Sequence, residues 1–193
     1  LRMVALAQSQ NWMWLTFEVK AGGHKVHLVN IYSPLAIEGK KLLWEELGEI
    51  LGCVIDEPIC FIGDFNCIRS SKERMNCVYA RRDVADFNSM IDNNNLLDIG
   101  MLNAKFTWFG HGNKKSRLDR VLVDVTWAKC AEWKVQALSK KHSDHKALLL
   151  FCDRYVKSHS PFRIFNCHIT ESLLEAVREH IVSQDSWPTA SSQ

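Results

Sequence analysis

The segment from Pro58 to Phe65 constrains the chain most: a short continuous apolar run that ends in Gly63-Asp64-Phe65-Asn66. A strand with no polar face has to be covered on both sides, so this run predicts a central strand inside a layered α/β structure whose polar end emerges at a sheet edge. The covering elements are legible nearby. From Ile37 to Cys53, Leu43, Leu47, Ile50 and Leu51 recur at i, i+4, i+7 and i+8 and fall on one face of a helix, with Lys40, Lys41, Glu45 and Glu49 on the wet side. Trp12 to Val19 and Lys25 to Tyr32 alternate apolar and polar side chains around Ala21-Gly22-Gly23, the pattern of a β-hairpin. Asp83 stands as the N-cap of a second helix that carries Phe87, Met90 and Ile91 to a stop at Asn93-Asn94-Asn95. Phe106 to Phe109 and Arg117 to Asp124 read as strands joined through Gly110-His111-Gly112-Asn113, and Trp133 to Leu138 and Ala147 to Cys152 as two more, with the polar loop Ser139 to Lys146 between them.

A length of 193 residues fits one domain and a short appendage, and the pattern change after Asp153 divides it into 1–153 and a connector, 154–193. The connector holds a helix from Glu171 to Val182, capped by Thr170, and a polar tail from Trp187. With 47% hydrophobic and 24% charged residues the chain can bury a core, which excludes a disordered tail. The longest apolar stretches, such as Ala147 to Cys152, fall far short of the ~20 residues that a membrane span needs. A net charge of +2 leaves only local basic patches for nucleic acid. Seven cysteines without a C-x-x-C pair signal neither a disulfide framework nor a zinc module, and point to free thiols in a reducing compartment. A chain that opens on Leu1 with no apolar leader reads as a fragment whose natural start lies upstream.

Chemistry concentrates at strand ends. Asp64 and Asn66 are i and i+2, so their side chains share one side of the backbone, where a carboxylate and a carboxamide suit a hard cation, a water or a phosphate oxygen. The plain alternative is a turn signal. Asp144-His145 adds a second carboxylate and the side chain best suited to change protonation near neutral pH; most such dipeptides are solvated loops. Asp119 shares a strand face with Arg117 and Val121, and an inward carboxylate there needs a partner, for which an ion pair with an Arg is the simple choice. Tyr32 offers a phenol at the end of its strand, or is only a half-buried aromatic; Trp108 is as readily core as contact. Lys114-Lys115 and Lys140-Lys141 lie on loops at the same rim and could neutralise phosphates, whereas Arg81-Arg82 reads as a solvated face.

The four motifs and their order, "NIYSP", "FIGDFNCI", "FTWFGHGNKKSRLDRVLV" and "SDHKALLL", followed by "PFRIFNCHI", resemble the endonuclease/exonuclease/phosphatase superfamily. They are most similar to the endonuclease region of plant non-LTR (LINE-type) retrotransposon polyproteins, over roughly residues 12 to 170. The resemblance implies an α/β, DNase-I-like four-layer sandwich of two mixed β-sheets with flanking helices, incomplete at the N-terminus. It implies a DNA endonuclease that hydrolyses a phosphodiester with Mg2+, or Mn2+ in its place. Asp64 would polarise or deprotonate the attacking water, Asn66 would position it, His145 held by Asp119 would contact the scissile phosphate, and Tyr32 would hydrogen-bond it. Asp144 would sit beside the metal, and Thr107, Lys114, Lys115, Lys140 and Lys141 would contact DNA.

The pattern departs from the resemblance in two places. The Asn and the metal-binding Glu that such enzymes carry fall before the strand at Trp12, which predicts an incomplete metal site and impaired activity. Arg120 stands where AP endonucleases carry an aromatic residue. Two other functions stay open: a non-catalytic retroelement remnant that binds nucleic acid weakly, and a superfamily phosphatase acting on a sugar or inositol phosphate. The partners implied are DNA and either a missing upstream segment or a downstream reverse transcriptase of the same polyprotein, with nuclear residence and no membrane.

Overall fold

The computed structural model describes residues 1–152 apart from 21, 80, 141 and 142. The expected connector 154–193, with its helix, and Lys141 lie outside the described residues. The strands are β1 (Arg2–Gln8), β2 (Trp12–Glu18), β3 (Lys25–Tyr32), β4 (Ile59–Asp64), β5 (Arg74–Met75), β6 (Leu97–Asp98), β7 (Trp108–Gly110), β8 (Lys114–Ser116), β9 (Asp119–Val123), β10 (Trp133–Ala137) and β11 (Leu148–Cys152). The helices are α1 (Ile37–Cys53), α2 (Arg81–Asn93) and α3 (Val125–Cys130), with a 3-10 turn at Ser71–Glu73. Six strands form one sheet in the order β1-β2-β3-β4-β9-β6, while β10-β11 and β5-β8-β7 form smaller ones. Strand β4 runs parallel to β3, with α1 as the crossover, and antiparallel to β9. This is a mixed α/β fold of several sheets and few helices.

The period of two along β4 and β9 divides the core. Ile59 and Phe61 of β4 and Leu122 of β9 face Leu43, Trp44, Leu47 and Ile50 of α1 and Phe87, Met90 and Ile91 of α2. Cys60, Ile62, Val121 and Val123, at the intervening positions, face Val135, Leu148 and Leu150 of β10-β11. The expectation of a strand covered on both sides is met: helices lie on one face and a second sheet on the other. Each large apolar side chain buried this way contributes about 1.5–3 kcal/mol. Trp44, Phe65 and Phe87 form the centre of the helical layer, with ring centroids 5.1 to 6.2 Å apart. Phe65 follows the polar Asp64 directly, so the end of β4 is anchored by an aromatic that points into the core.

Several expectations are corrected. Lys40 is buried at 3% exposure rather than on the wet side of α1, because its ammonium has two oxygen partners inside the molecule. Asp83 lies within the first turn of α2 rather than ahead of it, and its carboxylate accepts from Lys40 Nζ at 2.7 Å. The glycine-rich turn joins β7 to β8, not to the strand of Asp119; after Ser116 the chain leaves that hairpin and β9 enters the six-stranded sheet between β4 and β6. The strand β1, whose Ala-rich sequence carries no period, and the six-residue helix α3, held by an Asp124 side-chain cap, have no clear pattern. Cys60 and Cys67 are buried thiols pushed up to about 12, by burial first and then by Asp124 and Asp83 respectively.

Candidate active site

The ends of β4 and β9 meet with two carboxylates in register, since Asp64 pairs with Asp119. Directly opposed like charges repel, so this pairing needs compensation. The residue before Asp64 explains why the sequence reads Gly-Asp: Gly63 has φ of 143°, and a Cβ there would lie 2.1 Å from the Ile31 carbonyl oxygen. Only glycine lets β4 come this close to β3. Beyond the strand, Asn66 adopts φ of 47°, and its N–H donates to Asp64 Oδ1 at 2.8 Å, an Asx turn that fixes one oxygen of the carboxylate. The Asn66 side-chain amide donates to the Ser33 carbonyl at 2.7 Å, and Lys40 Nζ donates to the Asn66 carbonyl at 2.8 Å. Both neighbours of the turn are therefore clamped: β3 through Ser33 and α1 through Lys40.

His145 supplies the compensation. It precedes β11, and its Nδ1 lies 2.8 Å from Asp119 Oδ2 while its Nε2 faces Asp64 Oδ2 at 3.8 Å. A carboxylate accepts only, so the proton of the first contact sits on Nδ1. The second distance exceeds a hydrogen bond and leaves room beside Nε2. The Asp64 carboxyl titrates above the usual aspartate range, by burial first; the Asn66 N–H opposes this, Asp119 adds to it, and His145 and Lys40 oppose it. The site therefore holds a carboxylate more basic than an ordinary one next to an imidazole fixed in orientation. Ligand atoms of Asp64, Asp119 and His145 lie within 4.8 Å of one another, within reach of a single ion. A cleft of about 570 Å3 opens beside them, walled by Leu35, Lys40, Asn66, Trp108 and Leu118 around His145.

Behind the site lies a second charged group. Arg117 donates to Glu73 Oε1 at 3.2 Å and to Asp98 Oδ1 at 2.7 Å, and the fully buried Arg120 donates to Asp98 Oδ2 at 2.7 Å and to both oxygens of Glu73. Burial alone would push the Glu73 carboxyl up; the hydrogen bond and charge of Arg120 outweigh it and hold Glu73 below the usual range. Of the two partners weighed for Asp119, an arginine and His145, the structure places His145 against it, and both arginines serve Glu73 and Asp98.

The other anticipated residues are placed as follows. Asp144 stands outside the Asp64–Asp119–His145 group: it is exposed, and its carboxylate accepts from the Trp108 indole at 2.8 Å, which lowers its pKa. The Trp108 ring lies across Gly110, where a Cβ would come within 2.4 Å of it. Thr107, expected at the DNA surface, is instead fully buried with its hydroxyl accepting from two backbone N–H groups, so it has no face to offer a ligand. Tyr32 pairs with Asp64 in register across β3 and β4 and is exposed. Lys114 and Lys140 line an open hollow of about 530 Å3 with Trp108, Phe109, His111 and Asp144, and Lys140 and Lys146 lie 5.7 and 5.3 Å from the Phe109 ring centre. Lys115 is half-buried on β8. Lys40 and Thr107 act on the site through backbone groups, and nothing in a one-dimensional pattern marks such roles.

No family model and no curated protein sequence matches the chain. Solved structures do. The chain is similar to the endonuclease domain of TRAS1, a telomere-specific non-LTR retrotransposon, with 17% identity and a TM-score of 0.58 over 77% of this chain and 68% of that one. It is similar to an AP endonuclease from Leishmania major, with 14% identity and a TM-score of 0.59 over 72% of this chain and 53% of that one. A beta toxin from Staphylococcus aureus gives 16% identity and a TM-score of 0.53 over 74% of this chain. The chain spans 53% to 68% of the length of these three structures. At such identities the likeness is one of fold, and that fold is DNase-I-like.

Proposed function

We propose that this chain carries the catalytic groups of a divalent-metal-assisted phosphodiesterase that nicks DNA, of the kind found in the endonuclease regions of plant LINE-type retrotransposons. One observation carries the reading: His145 is held by Asp119 at 2.8 Å while its other ring nitrogen faces the basic Asp64 carboxylate across a gap of 3.8 Å. A scissile phosphate and its attacking water, seated in the cleft beside these two groups, meet a hydrogen-bond donor in Nε2 and a proton acceptor in Asp64. Asp64, fixed by the Asn66 N–H and facing His145, orients the attacking water and accepts its proton. His145, as imidazolium stabilised by Asp119, donates through Nε2 to a phosphate oxygen as charge gathers there. Asn66 fixes Asp64: its backbone N–H donates to the Asp64 carboxylate, its side-chain amide donates to the Ser33 carbonyl, and its own carbonyl accepts from Lys40. Exposed Lys114 and Lys140 neutralise neighbouring phosphates of the strand.

The donor set fits a hard divalent ion in part. Asp64 and Asp119 each have one oxygen engaged, by the Asn66 N–H and by His145, and both lie in the group within reach of one ion, whereas Asp144 turns to Trp108 outside it. Asp64 and Asp119 would therefore be the carboxylate ligands among the described residues, and Mg2+ bound there would polarise the phosphate and the water. So few ligands predict weak affinity, hence slow nicking that improves with millimolar metal and with Mn2+. The test is nicking of supercoiled plasmid by the purified chain: metal-dependent nicking lost in Asp64→Ala and His145→Ala is expected. A folded chain that binds DNA in a salt-sensitive way without nicking would replace this reading with that of a non-catalytic remnant.

A further inference from the structure

We infer that Thr107 is a positioning residue that sets the His145–Asp119 pair by gripping the backbone on both sides of it. The inference deepens the phosphodiesterase reading and rests on it only for its kinetic consequence. Thr107 is fully buried, where a hydroxyl is tolerated only with partners. Its Oγ1 accepts from the N–H groups of Leu118 and Asp119, each at 3.0 Å, at the point where the chain enters β9. Its carbonyl oxygen accepts from the N–H of Lys146 at 2.8 Å, immediately after His145. The next residues continue the contact: the Phe109 N–H donates to the Asp144 carbonyl at 2.9 Å, and Trp108 pairs with His145 as an antiparallel bridge. Thus one residue, through hydrogen bonds to backbone groups, holds the main chain beside both the imidazole and the carboxylate. Valine has nearly the shape of threonine but no acceptor, and would leave the N–H groups of Leu118 and Asp119 without that partner; serine keeps it.

The experiment compares Thr107→Val and Thr107→Ser in the full chain by long-range 1H–15N correlation of the His145 ring, assigned through His145→Gln. Because Asp119 only accepts, a proton on Nδ1 reports the intact pair. The Ser variant is expected to keep the Nδ1–H tautomer, and the Val variant to shift His145 toward the Nε2–H form with the other histidine signals unmoved. In nicking, kcat of the Val variant is expected to fall about 10- to 100-fold with KM unchanged, and Ser to restore most of it. A folded Val variant with the wild-type tautomer, or a Ser variant that behaves like Val, overturns the inference. If the Val variant does not fold, amide exchange in the unmodified chain decides: protection at Leu118 and Asp119 equal to that of β9 supports it, and free-loop exchange overturns it. An unmodified chain with the tautomer and its dependence on Thr107, yet without nicking, refutes the phosphodiesterase reading and leaves this inference standing.

Discussion

Two charged groups meet on consecutive residues at the start of β9, and they are built on opposite principles. Arg120 points to the helical layer and joins Arg117, Glu73 and Asp98 in a group where every carboxylate has a guanidinium partner. Asp119 points to the other face and joins Asp64 and His145, where two carboxylates in register share one imidazole. In the first group attraction overcomes burial and Glu73 titrates low; in the second it does not, and Asp64 titrates high. Balanced charge fixes a backbone, whereas unbalanced charge beside an open cleft stays available for a ligand. The contrast, rather than the presence of charge, separates scaffold from site.

The sharpest way to break this comparison is to remove Arg120. Arg120→Ala leaves Glu73 and Asp98 buried with less compensation and is expected to destabilise the fold by about 3–5 kcal/mol in urea denaturation; a change below about 1 kcal/mol would mean that the group is not structural. His145→Ala should do the reverse, leaving the denaturation midpoint nearly unchanged while nicking falls by about 10²- to 10⁴-fold. The pH dependences should also run in opposite directions. Glu73 contributes stability that is present above the ordinary carboxylate range and lost as pH falls through its lowered pKa. Asp64, with a raised pKa, makes folding less favourable as pH rises through the interval between its unfolded and folded values. Asp64→Asn should accordingly be more stable than the unmodified chain at neutral pH, equal to it below the carboxylate range, and inactive; thermal melts at several pH values decide this. The smallest effect belongs to the rim: Lys114→Ala and Lys140→Ala should each lower the slope of log K against log salt by about 1 and leave the melting point unchanged.

The same contrast explains what the sequence discloses. The three members of the site are visible because each sits at the end of an apolar run, where a polar residue needs a reason. The limits of α1 and β3 follow their periodicity residue for residue. Lys40 is invisible because a lysine on a helix is ordinarily solvated, and only the fold brings Asn66 and Asp83 to its ammonium. Thr107 has the right position and the wrong expected neighbour, since a hydroxyl in a strand carries no mark of the side it faces. The Glu73–Arg120 group spans segments far apart in the chain, and no local pattern announces it. The break after Ser116, which sends β9 into another sheet, follows from tertiary pairing rather than from turn chemistry.

The insertion of β9 between β4 and β6 also sets a schedule for the growing chain. As residues leave the ribosome in order, β4 completes its pairing with β3 early, yet its other edge waits for β9. At roughly 5–20 residues per second, that apolar edge stays open for several seconds. An uncovered strand of this kind is a template for intermolecular pairing. Yield of the soluble chain should therefore depend on how quickly the 65–118 segment is delivered and on whether a holdase shields the edge meanwhile, and synonymous slowing within that segment should shift product from soluble protein to aggregate.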